Sequence, residues 1–239
     1  MAGRMKKPLI LGEMTLFFCA FFLPGYLAQG SLAAPSVSLT NPLMMQSILA
    51  GLPQFLLMAF VVIVPGSTPG SRWGFVPFTV SDALRTGLLV LACFAAITPF
   101  VALVLALPGD VAHRLGKGFR WGLAGPQQIP LAFLFGVVAG YREEFFFRAY
   151  LLSRFEELGV PAYAAVAGST LLFCTGHFYE GLLAVGITAA LGIILAAAWQ
   201  RRGSLHVVAI AHGLYNALVL CLGLLLPRAL PDPASITIF

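Results

Sequence analysis

Seven long runs of apolar residues follow one another along the chain, separated by short stretches rich in Gly, Pro, Ser or charged residues. Each run has about the 20 apolar residues that a helix needs to cross the hydrocarbon core of a bilayer. The predicted spans cover residues 9–28, 43–64, 86–107, 130–152, 162–178, 181–199 and 204–226. The pattern therefore predicts an all-α protein, a polytopic membrane helical bundle of about seven to eight transmembrane helices.

The segments between the spans contain the residues that start, bend or stop helices. Pro24 predicts a kink within the first span, and Ser81 is a candidate cap for the helix that leads into the third. Residues 29–42 contain many turn formers and no charge, which predicts a loop, and residues 108–129 form the longest polar connection. We find no internal repeat, so residues 1–239 are expected to form a single integral membrane domain.

Composition and charge support this interpretation. Of all residues, 59% are hydrophobic and 10% charged, whereas soluble domains carry about 25% charged residues. The net charge of +5 is explained by Lys and Arg in cytoplasmic loops, so no nucleic-acid partner is expected. With seven spans, eight Lys and Arg residues lie on the same side of the membrane as the N-terminus: Arg4, Lys6, Lys7, Arg72, Arg85, Arg154, Arg201 and Arg202. Four lie on the opposite side: Arg114, Lys117, Arg120 and Arg228. This bias predicts a cytoplasmic N-terminus, although the cluster at 114–120 opposes it.

Three sets of polar residues nevertheless stand out within the predicted spans, where a charge costs about 3 kcal/mol at the bilayer centre. They are Glu143, Glu144, Arg148, His177, His212 and Asn216. Each taken alone has an ordinary structural explanation as an ion pair or a hydrogen bond between helices. Their joint occurrence on three apolar spans favours a functional site.

The spacing of these residues predicts which of them share a helix face. Glu144 and Arg148 are four residues apart and can form an ion pair. His212 and Asn216 are also four residues apart and can point together into one cavity. Glu143 lies about 100° around the helix from Glu144 and faces elsewhere. Gly136 and Gly140 form a GxxxG step that lets a neighbouring helix approach closely. That helix is the fifth or the seventh span, which would bring its histidine to this place.

These residue types fit two versions of hydrolytic chemistry. In one, a desolvated carboxylate and a histidine activate water, while a second histidine and an asparagine bind the developing oxyanion. In the other, Glu143, His177 and His212 bind zinc with water as the fourth ligand. A proton relay of a transporter and a non-catalytic binding or immunity protein are the remaining alternatives.

Two further polar residues are given minor roles: Glu180 is expected to face water at a helix end, and His206 to lie at the membrane interface.

At these residues the sequence resembles the CPBP family of intramembrane proteases, which includes type II CAAX prenyl endopeptidases and bacteriocin-processing or immunity proteins. Glu143-Glu144-Phe-Phe-Phe-Arg148 matches the EExxxR motif of the family, Phe173-Cys-Thr-Gly-His177 its FxxxH motif, and His212-Gly-Leu-Tyr-Asn216 its HxxxN motif. The resemblance covers a catalytic core at about 130–220.

The resemblance implies an intramembrane endopeptidase in which Glu143 and His177 activate water and His212 and Asn216 stabilise the oxyanion. Glu144 and Arg148 would then shape and hold the site. Family members are described both as metalloproteases and as glutamate-dependent enzymes; we favour the metal-free mechanism, with zinc as the alternative cofactor. The expected substrate is a membrane-anchored protein or peptide, C-terminally lipidated or carrying a sorting tail, in a prokaryotic cytoplasmic (inner) membrane.

Overall fold

The computed structural model describes residues 6–32, 40–64, 69–115 and 123–225, and within these ranges the chain is helical and contains no β-strand. The α-helices are α1 (Lys7–Phe21), α2 (Leu23–Leu32), α3 (Asn41–Ile63), α4 (Val80–Leu105), α5 (Gly109–Leu115), α6 (Ile129–Glu144), α7 (Leu151–Leu158), α8 (Ala162–Thr175), α9 (Leu182–Arg202) and α10 (Leu205–Leu225). Short 3-10 turns lie at Gly70–Trp73, Pro126–Gln128 and Phe178–Glu180. Residues 33–39 of the loop predicted at 29–42 lie outside the described residues, and so do the basic residues Arg4, Lys117, Arg120 and Arg228.

In the described part of the chain, four helices are long and apolar enough to cross a membrane: α3, α4, α9 and α10. A fifth span results if the bent pair α1 and α2 crosses as one. The predicted number of seven to eight spans is therefore not confirmed. The fourth predicted span carries four charged residues and the fifth is a helix of only 14 residues, so neither has the length and apolarity of an ordinary span.

The N-terminal span is bent, as Pro24 predicts. The helix breaks at Phe22, and α1 and α2 meet at an angle of 47°. Pro24 lies in the first turn of α2, where its missing N–H costs no helical hydrogen bond. The predicted loop at 29–42 begins later than expected, because α2 continues to Leu32.

Two helix starts are fixed by threonine caps. The side chain of Thr40 accepts a hydrogen bond from the Leu43 amide at the start of α3. At the start of α4, Thr79 and Asp82 form a reciprocal capping box. The prediction of Ser81 as the cap was wrong, because Thr79 has the extended backbone of a cap residue and Ser81 already lies inside the helix.

The helix with the two glutamates contains a π-helical segment. The segment Phe145–Tyr150 joins α6 to α7, and the amide of Leu151 bonds to the carbonyl of Phe146, five residues earlier. The wider turn leaves carbonyls without regular partners, and Ser169 of α8 donates to the carbonyl of Phe147 at 2.6 Å. Such segments occur often at functional sites.

The fifth predicted span is shorter than expected. Helix α8 ends at Thr175, and the chain then turns through the 3-10 segment Phe178–Glu180 before α9 begins at Leu182. His177 therefore lies in a turn, and the prediction of a span that continues to residue 178 and includes His177 was wrong. The loop predicted at 200–203 is almost absent, since α9 runs to Arg202 and only Gly203, with φ of 62°, and Ser204 connect it to α10.

Helices α6 and α10 cross in contact through glycine. A Cβ atom at Gly136 would lie 2.4 Å from the carbonyl oxygen of Gly213, and one at Gly140 would lie 2.3 Å from that of Ala209. The GxxxG step thus brings the seventh predicted span against the fourth, as the sequence predicts. This crossing places His212, one residue before Gly213, beside the two glutamates.

The rest of the core holds this crossing in place. Phe145, Phe146 and Phe147 are buried in one apolar cluster, with Phe22 stacked on Phe146 at 4.3 Å between ring centroids. On the far side of the segment, Glu13 of α1 accepts hydrogen bonds from Tyr150 and Arg154, each at 2.7 Å. These contacts attach α1 to α7 and leave the other face of the helix to the site.

Candidate active site

A cavity of about 260 Å³ lies between α6, the end of α8, α9 and α10. Its lining combines polar side chains with aliphatic and aromatic ones. The polar lining residues are Glu143, His177, Tyr179, Glu180, Thr188, His212, Tyr215 and Asn216. Four of the six residues predicted from the sequence therefore border one space, although they come from three separate parts of the chain.

Glu143 is the carboxylate that lines this cavity. Its Oε1 lies 3.2 Å from Nη2 of Arg142, and its Oε2 lies 3.9 Å from Nε2 of His212. Its side chain is 15% exposed, while that of Glu144 is completely buried. The 100° rotation between neighbouring helix positions thus separates a carboxylate at the cavity from one beneath it.

Glu144 holds two partners below the cavity floor. Its Oε1 lies 3.0 Å from Nη1 of Arg148 and 2.8 Å from Nδ1 of His212. The guanidinium of Arg148 also lies over the ring of Phe173, at 4.3 Å from its centroid, and its Nη2 is 3.5 Å from the carbonyl of Gly192. Glu144 therefore fixes the orientation of His212 as well as pairing with Arg148.

His177 reaches the cavity from the turn after α8. Its Nδ1 lies 2.9 Å from the carbonyl oxygen of Phe173. Because a carbonyl only accepts, this nitrogen carries the proton, and Nε2 of the neutral ring is left as an acceptor. Its ring packs edge-on against that of Phe173, at 5.0 Å between centroids. His177 and Glu143 form no hydrogen bond or ion pair with each other among the described residues, so any proton transfer between them needs a bridging water.

Asn216 lines the cavity one helical turn after His212, as their spacing predicts. Its amide can donate two hydrogen bonds. The ring of His212 is 3% exposed and is packed edge-on against Phe173. An imidazole and an amide thus face the same volume as Glu143.

Comparison with known proteins agrees with this geometry. Residues 125–218 match the family described as type II CAAX prenyl endopeptidase Rce1-like. This segment is a CAAX protease domain. Neither a curated protein nor a solved structure was found to match the chain. The matched segment contains α6 to α9 and most of α10, and together with the apolar helices it identifies an integral membrane protein with the character of an intramembrane endopeptidase.

Glu180 is a residue of the CAAX protease domain that the sequence pattern undervalued. It was expected to face water, but it is 7% exposed and lines the cavity. Burial raises the pKa of its carboxyl, and the nearby Glu143 charge acts in the same direction, whereas His177 and Tyr179 lower it. Its position three residues after His177 was the only available signal, because the turn that buries it is not visible in the hydrophobic pattern.

His206 lies away from this cavity. Its Nδ1 is 2.7 Å from the hydroxyl of Tyr141, and its ring lies edge-on to Phe75 and Tyr141. The partners are consistent with a structural role.

The zinc alternative requires Glu143, His177 and His212 to lie together as ligands. Among the described residues, no group of three or more His, Cys, Asp or Glu side chains is arranged to hold a metal ion. The choice between the metal-free mechanism and zinc stays a prediction.

Proposed function

We propose that the protein is an intramembrane endopeptidase that hydrolyses a peptide bond by means of a water molecule activated by Glu143 and His177. The observation that carries this proposal is the shared cavity. One carboxylate, two imidazoles and an amide border it inside a protease domain, and a second carboxylate beneath it orients one of the imidazoles.

Glu143 and His177 are the two proton acceptors of the mechanism. The Oε2 of Glu143 is not engaged by Arg142, and Nε2 of His177 is left free by the bond from Nδ1 to Phe173. A water molecule between them is polarised toward its hydroxide form. As its oxygen attacks the carbonyl carbon, its proton passes to one of these groups and then to the leaving amine.

His212 and Asn216 stabilise the negative oxygen of the tetrahedral intermediate. Since Nδ1 of His212 faces the carboxylate of Glu144, Nε2 donates a hydrogen bond only when the ring is doubly protonated. Asn216 adds a neutral donor. In other hydrolases, removal of one such donor lowers kcat by about 10²–10³-fold.

The rest of the cavity indicates the kind of substrate. Its apolar lining, which includes Phe135, Ile187 and Leu191, suits the lipid-facing part of a membrane-anchored or lipidated chain. The prenyl group named in the family description is one such lipid. We place the catalytic core at about 130–220 within a single membrane domain, with a cytoplasmic N-terminus, in a prokaryotic inner membrane.

The direct test uses purified protein in liposomes with a farnesylated peptide that ends in Cys-aliphatic-aliphatic-X, and mass spectrometry of the products. Peptide termini from membranes of cells with and without the gene give a second, unbiased set of substrates. Glu143→Gln and His177→Ala are expected to abolish cleavage while the protein still folds and inserts. The matched control is Glu156→Gln, an exposed carboxylate further along the same helix.

Two results would count against the proposal. Cleavage retained by both cavity variants would remove these residues from the mechanism. A non-catalytic role for the cavity would be favoured if two results came together. The peptide termini would be the same in membranes of cells with and without the gene, and the farnesylated peptide would remain uncleaved.

A further inference from the structure

The turn that carries His177 is held by a glutamine from a distant part of the chain. Nε2 of Gln29, in α2, donates to the carbonyl of Thr175 at 3.0 Å. Oε1 of the same side chain accepts from the amide of Tyr179 at 3.1 Å. The two partners lie two residues before and two residues after His177.

Both ends of the Gln29 amide are used, which fixes its orientation. A carbonyl accepts only and a backbone N–H donates only, so a flipped amide would lose both hydrogen bonds. The side-chain amide of the glutamine thus links the two ends of the turn, donating to one backbone group and accepting from the other. It satisfies a carbonyl at the end of α8 and a donor in the 3-10 segment, neither of which continues a regular helix.

A second residue of α2 reinforces this contact. The hydroxyl of Tyr26 donates to the carbonyl of Leu172. Its ring lies against Gly176, where an added Cβ atom would come within 3.2 Å of it. Helix α2 therefore touches the chain immediately before His177 as well as on both sides of it.

His177 depends on this turn for its position. Its side chain is bonded to the carbonyl of Phe173 and packs against the rings of Phe173 and Tyr179. Its backbone is held within the turn itself, since its amide donates to the carbonyl of Cys174 and its carbonyl accepts from the amide of Glu180, each at 3.0 Å. Because α8 ends at Thr175, no continuing helix fixes the backbone of residue 177. A shift of the turn moves the imidazole relative to Glu143, and a misplacement of about 1 Å costs about 10² in rate.

We propose that Gln29 is a positioning residue for His177, supported by Tyr26, and that the second helix of the bent pair α1 and α2 helps to hold the active site in place. This pair lies outside the segment that matches the protease family. The placement of the ring follows from the contacts alone, whereas its effect on catalysis rests on the proposed function.

The competing explanation is that Gln29 only caps α8, in which case its loss lowers stability without moving His177. The two are separated by measuring His177 itself. Diethyl pyrocarbonate modifies accessible neutral imidazoles, and mass spectrometry of peptides gives the rate at each histidine. His206, which is bonded to Tyr141, is the reference within the same molecule.

Three full-length variants in detergent are compared. Gln29→Leu removes both hydrogen bonds at nearly constant volume, and Gln29→Glu keeps the acceptor for Tyr179 but loses the donor to Thr175. Leu27→Ala, on the same helix and 76% exposed, is the control. Losing two hydrogen bonds of ordinary strength is expected to raise the open population of the turn, and with it the His177 modification rate, roughly tenfold.

The expected pattern is a roughly tenfold rise for Gln29→Leu, a smaller rise for Gln29→Glu, and rates for Leu27→Ala and for His206 that match the wild type. With the farnesylated peptide, kcat falls by about 10–100-fold while KM stays within about twofold. An unchanged His177 rate in Gln29→Leu, or an equal rise in Leu27→Ala, overturns the proposal. If Gln29→Leu does not fold, Gln29→Glu decides by the same criteria.

The experiment also separates this proposal from the one on which it rests. A wild-type protein that cleaves no peptide contradicts the proposed function, yet the modification rates still test the contact. If Gln29→Leu is fully active on a peptide that the wild type cleaves, the positioning role of Gln29 is contradicted and the proposed function is not.

Discussion

Nδ1 of His212 lies 2.8 Å from Oε1 of Glu144, across the crossing of α6 and α10. The same carboxylate oxygen is 3.0 Å from Arg148. One buried carboxylate thus supports an arginine of its own helix and a histidine of another. The neighbouring Glu143 remains at the cavity with a free oxygen, so the two adjacent glutamates have different tasks.

The two glutamates are predicted to differ in what they contribute to stability. Glu144→Gln leaves Arg148 buried without a charged partner, and the loss of one member of a buried pair costs about 3–5 kcal/mol. Glu143→Gln acts at a partly exposed pair with Arg142 and is expected to change stability by less than about 1 kcal/mol. Thermal unfolding in detergent measures both, and equal losses would contradict the division of tasks. Both variants are expected to be inactive.

The glycine crossing is predicted to tolerate no side chain. Gly140→Ala places a Cβ atom against the backbone oxygen of Ala209, so α6 and α10 must move apart. We expect a loss of about 1–3 kcal/mol and a fall in activity, because His212 withdraws from Glu144. Gly87→Ala in α4 is the matched control, since a Cβ atom there meets nothing within 4 Å.

The control is expected to be fully active and slightly more stable, by up to about 1 kcal/mol, because alanine favours helix more than glycine does. An active and equally stable Gly140→Ala variant would show that the close approach of the two helices is dispensable.

Glu180 is predicted to make stability depend on pH. Burial raises the pKa of its carboxyl, so the folded protein binds this proton more tightly than the unfolded chain does. Stability from this group is complete below the unfolded value of about 4.3 and is lost as pH rises through the raised folded value. Glu180→Gln should therefore match the wild type at low pH and exceed its unfolding temperature at higher pH.

The exposed Glu156→Gln serves as the control for that series and should show no such divergence. A constant difference between Glu180→Gln and the wild type at every pH would mean that the carboxyl does not titrate as its surroundings imply.

Removal of metal ions is predicted to leave cleavage unchanged. This follows from the proposed mechanism, in which Glu143 and His177 activate the water without a Lewis acid. Protein treated with 1,10-phenanthroline and then dialysed should cleave the peptide at the untreated rate, with less than one zinc per chain by elemental analysis. Stoichiometric zinc, or activity lost to the chelator and restored by zinc, would favour the zinc alternative.

The sequence predicted the part of the site that depends on regular helices. A spacing of four residues placed Glu144 beside Arg148 and placed His212 and Asn216 on one face, because these relationships are local and repeat with the helix. The step from Gly136 to Gly140 likewise indicated a close helix crossing, and small residues are needed wherever two helix backbones touch.

Contacts between distant parts of the chain could not be predicted in this way. Gln29 and Tyr179 are 150 residues apart, and no periodic pattern connects them. The same holds for Glu180, whose burial depends on how the turn after α8 packs against other elements. The π-helical segment at Phe145–Tyr150 was missed because nothing in its six residues distinguishes it from the continuation of a regular helix.

Helix α8 has 14 residues and is therefore about 21 Å long, whereas the hydrocarbon core of a bilayer is about 30 Å thick. A bilayer that this helix crossed would have to thin locally beside it or give way to solvent, since the shortfall is about 9 Å. His177 lies at the end where the helix stops. In such a bilayer, thickness would help to determine how readily water, the second reactant of any hydrolysis, arrives at the imidazole.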